Sequence, residues 1–275
     1  LTTNLSISLK YYKITMQDRH TNRKRYFDEL AVSSRKYFLP YLEEFFPITS
    51  STRILEIGCG DGGNLLPFAE RQCSVTGIDL AETRILQARE FFAESGCAAQ
   101  FKAVNVFDMT PEKEKYDVIL IHDVIEHIGD KKSMLQHIRQ FLAPGGVVFI
   151  GFPAWQMPFG GHQQICHSKV ASHWPFLHLL PRPLYRSVLK ICGESEVCIA
   201  ELLDIKSCRT TIEMFERLAR KTGYSIRQRK FWFINPHYEV KFRLRPCVLS
   251  PFIASIPYVR NYFTTSCFYI LDASA

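Results

Sequence analysis

The residues best suited to chemistry lie around Gly58-x-Gly60-x-x-Gly63, with Glu56 just before, Asp61 inside and Asp79 21 residues beyond Gly58. Glycine lets backbone approach a ligand closely, because no Cβ intervenes and a positive φ costs it little. Carboxylates at such a turn offer counter-charge for a cation, or paired acceptors for the hydroxyls of a vicinal diol. Downstream stand His122, His127 and His162. Imidazole is the side chain best matched to moving a proton near neutral pH.

These groups need elements to hold them. From residue 53 the chain alternates apolar runs with helical patterns: strands over 54–57, 74–78, 100–106, 116–121 and 147–152, helices over 62–70, 82–94 and 132–142. That rhythm predicts an α/β fold, a doubly wound, mostly parallel sheet covered on both faces. Residues 17–46 read as helical, divided at Pro40. Between 153 and 208 the rhythm stops amid prolines, aromatics and Gly160-Gly161, which predicts an insertion over the carboxyl edge of the sheet. Thr210-x-x-Glu213 reads as a capping box opening a helix that ends at Gly223. A strand over 224–234 follows. The alternation of Tyr238, Val240, Phe242 and Leu244 predicts another, and 268–271 a last one. The expected division is a helical cap over 1–48, a cofactor-binding core over 49–153, a lid or substrate insertion over 154–208, and the rest of the core sheet over 209–275.

The glycine spacing matches the dinucleotide fingerprint, which makes NAD one candidate cofactor. Glu56 and Asp61 point elsewhere: carboxylates would repel a pyrophosphate and suit a cation. S-adenosylmethionine carries an ammonium and a sulfonium and no phosphate.

Five motifs occur in register: Glu56-Ile-Gly58-Cys-Gly60-Asp-Gly62, Asp79, Tyr116-Asp117-Val118-Ile119, Asp123-Val-Ile-Glu126-His127 and Ala143-Pro-Gly145-Gly146. The set resembles the class I S-adenosylmethionine-dependent methyltransferases, in particular the small-molecule branch, strongly over 50–153 and loosely over 210–271. The resemblance implies a seven-stranded Rossmann-like sheet whose last strand runs antiparallel, with a lid after the fifth strand. It places the backbone of Gly58, Cys59 and Gly60 against the methionine part of the cofactor with Glu56 supporting the turn, Asp79 at the ribose hydroxyls, and Leu80 within the cofactor site. Asn105, Val106 and Asp108 fall near the adenine, with Asn105 where the family often has an acid. Ile121 and His122 fall at the methionine end, and His127 and His162 are the candidate bases. The stretch from Phe152-Pro153 through Gly160-Gly161-His162 to Pro181 resembles lids of methyltransferases acting on polysaccharide or glycolipid precursors. The alternatives are an NAD-dependent oxidoreductase and a cofactor-binding protein without catalysis.

Composition bounds these readings. The 47% hydrophobic content of 275 residues supports a full core. Residues 151–275 hold 16 Lys+Arg against 8 Asp+Glu, while residues 1–150 are near neutral. That asymmetry suits an anionic small molecule or contact with a membrane surface, and a solvated basic face explains it equally. Arg182, Arg186, Arg209, Lys241 and Arg243 are candidate phosphate contacts. No nucleic-acid-binding module is recognisable, and no apolar run reaches the length of a membrane span. Nine scattered cysteines without a CxxC pair or a legible secretory signal predict reduced thiols and a cytoplasmic protein. The histidines and Cys166 of 162–178 match no common metal spacing, so no metal is expected. The residues before Met16 read either as partly non-native sequence or as a disordered leader.

Overall fold

The computed structural model describes residues 22–111 and 115–273. The expected leader and the first part of the predicted 17–46 helix lie outside them. Five strands run parallel: β1 (Arg53–Ile57), β2 (Ser74–Asp79), β3 (Gln100–Ala103), β4 (Tyr116–His122) and β5 (Leu142–Phe152). The remaining strands are β6 (Tyr224–Ile234), β7 (Cys247–Val248) and β8 (Ser266–Ala273). The order across the sheet is β3-β2-β1-β4-β5-β8-β6-β7, with β8 antiparallel to both β5 and β6.

The apolar runs become strands because both faces of the sheet are covered. Successive residues enter opposite cores: Ile54, Val118, Leu120, Phe149 and Phe268 one, and Leu55, Ile119, Ile121, Ile150 and Tyr269 the other. From β1 the chain winds outward to β2 and β3, then crosses to β4 on the other side of β1. The β1/β4 boundary is therefore a switch point, where loops diverge and leave a crevice at the carboxyl ends of the strands. The turn after β1 and the residues after β4 both face it.

Three expectations change. The sheet has eight strands rather than seven, because the two-residue β7 pairs with Trp232 and Ile234 at the edge. The predicted strand over 238–245 is instead a helix, His237–Phe242, closed by Arg243 at φ +58°. Pro236 opens it, Asn235 Oδ1 accepts from His237 N–H at 2.9 Å, and His237 bonds Ser33 in the N-terminal helix. Those local caps override an alternation that buries none of the helix residues fully. The cap of helix Ile212–Lys221 is Thr211, accepting from Met214 N–H, and Glu213 serves Arg260 and Asn261 instead.

Pro40 acts as expected of a residue without an N–H. The helix Arg23–Ser33 passes through a π-helical turn over Ser34–Phe38, where Leu39 N–H reaches back to Ser34 O, before Leu39–Glu43 resumes. The 154–208 segment leaves and rejoins the sheet at neighbouring points, since Trp155 N–H donates to Thr210 O at 2.9 Å. Its helices, Lys169–His173, Arg182–Ile191 and Glu196–Cys208, share a small core of their own around Tyr185, Leu189 and Leu202.

Gly58 is where the turn is most constrained. Its φ is +70°, and a Cβ there would lie 2.3 Å from Val124 Cγ2, in the segment after β4. Gly58→Ala is expected to cost about 2–4 kcal/mol, from the left-handed backbone and the forced shift of Val124 together. Urea unfolding measures this; a loss below about 1 kcal/mol would show that the turn adapts freely.

Candidate functional site

The turn after β1 is closed by its own chain. Gly58 and Cys59 N–H both donate to Ile78 O, Gly62 N–H donates to Cys59 O, and Gly60 N–H donates to Asp79 Oδ2 at 2.9 Å. Four of the N–H groups that could face a pyrophosphate are thus engaged, and the helix that follows, Leu66–Glu70, is a single short turn. Gly62 and Gly63 pack against Phe101 and the backbone of Phe27, but a Cβ at Gly60 would meet nothing within 4 Å. Gly60 is the point at which a ligand can lie against bare backbone.

Glu56 sits beneath this turn, 1% exposed. Its Oε1 accepts from Asn64 Nδ2 at 2.8 Å, while Oε2 has no partner. Burial pushes its carboxyl up to about 8, against the lowering effect of the Asn64 bond. Asp61, by contrast, is committed to the chain: Arg23 from the N-terminal helix bonds it, and Arg84 lies 3.4 Å away. It supplies no free charge for a ligand, which corrects its assignment from spacing. Cys59 is buried, and burial pushes its thiol up.

Asp79 ends β2. Its Oδ2 holds Gly60 N–H and its Oδ1 holds Ala81 N–H at 2.9 Å, so one carboxylate ties the turn to the start of helix Glu82–Ser95. Each oxygen retains a lone pair. Leu80, next to it, is 74% exposed, an apolar side chain without cover. Asn105 caps the short 3₁₀ turn Val106–Asp108 by accepting from Phe107 N–H. Val106 is buried and Asp108 exposed. Ile121 is buried, and the His122 ring lies 4.6 Å from that of Phe38, tilted by 38°, with Nδ1 3.4 Å from Asp123.

The structure brings His127 and His162 together, their ring centroids 4.9 Å apart and nearly perpendicular. His162 holds a left-handed φ of +57°, and Asp123 one of +54°; both are conformations that non-glycine residues adopt at a cost. Burial lowers both imidazoles, that of His162 to about 4, with His127 adding to the effect. Both are therefore neutral at pH 7 and able to accept a proton. Beside them Glu126 is buried with neither carboxylate oxygen hydrogen-bonded, His127 Nε2 lying 4.0 Å from Oε1, and burial holds its carboxyl well above the usual range. The sequence presents Glu126 only as half of a motif; its isolation arises from packing, which no local spacing signals. Glu126, His127 and His162 offer ligand atoms within 4.8 Å of one another, as do Cys166, Glu194 and Cys198, so both trios are within reach of a single cation. In the second trio Glu194 also clamps His167 and Ser168 N–H.

Other candidates separate. Phe27 and Trp155 are core residues and Trp174 is exposed. Arg186 pairs with Glu196, whereas Arg182 and Arg209 share a cavity.

Residues 55–148 match the family model of a methyltransferase domain. A ubiquinone biosynthesis O-methyltransferase of Chelativorans sp. (strain BNC1) is 37% identical over 98 residues, 36% of this chain and 39% of that protein. The chain spans less than half the length of the curated relatives it matches. Among solved structures, a putative sarcosine dimethylglycine methyltransferase from Galdieria sulphuraria superposes with a TM-score of 0.58 at 16% identity, covering 88% of this chain and 86% of that one. The plantazolicin methyltransferase BpumL, in complex with a triazolic desmethylPZN analog and SAH, gives 0.56 at 18% identity, covering 94% and 90%. These similarities fix the Rossmann-like α/β fold. No helix among the described residues is long and apolar enough to cross a membrane.

Proposed function

We propose that this chain, a class I S-adenosylmethionine-dependent methyltransferase by fold and by its residues 55–148, transfers a methyl group to a hydroxyl of a small molecule. The observation that carries the reading is Glu56: a buried carboxyl with an unpartnered oxygen under a turn whose Gly58, Cys59, Gly60 and Gly62 N–H groups are already bonded. Such a group calls for a positive ligand and offers nothing to a pyrophosphate. NAD is disfavoured on the same ground.

When bound, S-adenosylmethionine supplies a methyl group on a positively charged sulfur, already activated for direct displacement. The chain's own work is then placement. Glu56 supplies counter-charge, Gly60 lets the ligand lie against backbone, and the free lone pairs of Asp79 accept from the ribose hydroxyls. Leu80 and Val106 give apolar cover to the adenine, with Asn105 or Asp108 at its amino group; Ile121 and His122 border the reacting end. His127 and His162 take up the proton of the acceptor hydroxyl, and segment 154–208 closes over the acceptor as a lid. The relatives named as O-methyltransferases support oxygen as the atom methylated. The basic second half supports an anionic acceptor such as a glycan or glycolipid precursor.

Titration calorimetry tests the cofactor. S-adenosylmethionine is expected to bind and NAD not; tight NAD binding alone would overturn the reading. The Glu56 proton must leave for the carboxylate to meet a cation. Affinity is therefore expected to rise between about pH 6 and 7.5, by up to about tenfold per unit, with about one proton released on binding. Glu56→Gln is expected to abolish that slope. Labelled-methyl screening of anionic glycans and lipids separates the enzyme from a protein that only binds the cofactor.

A further inference from the structure

Arg182, Lys206 and Arg209 line one cavity of about 440 Å³. Arg182 donates to Ser207 Oγ at 3.3 Å and Lys206 Nζ to His178 O at 2.6 Å. Among the described residues, none of the three is paired with a carboxylate. Like charges gathered without counter-charge repel one another; burial and the two guanidinium groups hold the Lys206 ammonium below its usual range. The arrangement is relieved by an anion with several acceptor oxygens, and a phosphate matches the planar fork of arginine.

The adjoining cavity, about 430 Å³, shares Leu179 and Arg209 with the first and is otherwise lined by Trp155, Met214 and Tyr262 together with the polar Gln156 and Thr211. One groove thus runs from a cationic end to an apolar, aromatic end. We propose that this groove binds a phosphorylated amphiphile, its phosphate among Arg182, Lys206 and Arg209 and its apolar body against Leu179, Met214 and Tyr262. Arg209, common to both cavities, sets where the head meets the body. The site needs no bound cofactor, so the proposal stands or falls apart from the methyl-transfer reading.

Calorimetry without cofactor tests it, using octyl phosphate, octyl glucoside and inorganic phosphate below any micellar concentration. Octyl phosphate is expected to bind at least about tenfold more tightly than either of the others, and less tightly as salt rises. Arg182→Gln with Arg209→Gln should weaken octyl phosphate about tenfold or more and leave octyl glucoside unchanged. Both arginines are exposed, so the unfolding midpoint should not move. Equal affinity for octyl glucoside would remove the anion from the argument, and equal affinity for inorganic phosphate would remove the amphiphile. An unaltered octyl phosphate affinity in the double variant would place the binding elsewhere.

Discussion

Asp79→Ala is expected to weaken S-adenosylmethionine binding by about 100-fold or more, roughly 3 kcal/mol, while the fold survives. The carboxylate does two jobs. It fixes the Gly60 and Ala81 N–H groups, and its remaining lone pairs are the proposed ribose acceptors. Removing it loosens the turn and deletes the ligand contacts together. Asp79→Asn separates the two: one amide oxygen can hold Gly60 or Ala81, but the NH₂ group then opposes the other donor. It should cost roughly tenfold. Asp79 is only half-buried and lies at a strand end, so urea midpoints should shift little. Calorimetry decides: affinity of Asp79→Ala within threefold of the parent would mean that the ribose is held elsewhere.

What the sequence made legible follows from the range of the forces involved. The central strands are readable because they are buried on both faces, so Ile54 and Leu55 are both apolar although they enter different cores. The Gly58 turn, Asp79 and the convergence of segments after β1 and β4 follow from local chemistry and the winding of the sheet. Residues 237–242 were not readable as a helix, since no position there is buried enough to enforce a period. Asp61 was misread because its partner Arg23 lies 38 residues upstream. Charge pairing across the fold leaves no trace in spacing, and neither does the isolation of the Glu126 carboxylate.

The pairing of His127 with His162 bears on the chemistry directly. With the true acceptor in hand, His127→Ala and His162→Asn are each expected to lower kcat by about 10²–10³-fold, with S-adenosylmethionine affinity unchanged. Asn suits the left-handed backbone at 162 and cannot take up the proton. Because the rings stand 4.9 Å apart, they should act as a unit, and the double variant should be little worse than the poorer single one. The pH profile gives the sign. A base works only when neutral, and burial lowers both imidazoles, so activity should persist below the ordinary histidine value of about 6.5. If His162 is the base, the acid limb of kcat/KM lies towards about 4. The same shift makes the folded state bind fewer protons than the unfolded chain between those two values. Stability from His162 is therefore complete above about pH 6.5 and lost as pH falls through about 4. His178, fully buried and also lowered to about 4, acts in the same direction. An acid limb that stays in place in His162→Asn, with full turnover in both single variants, would leave proton removal to the acceptor or to water.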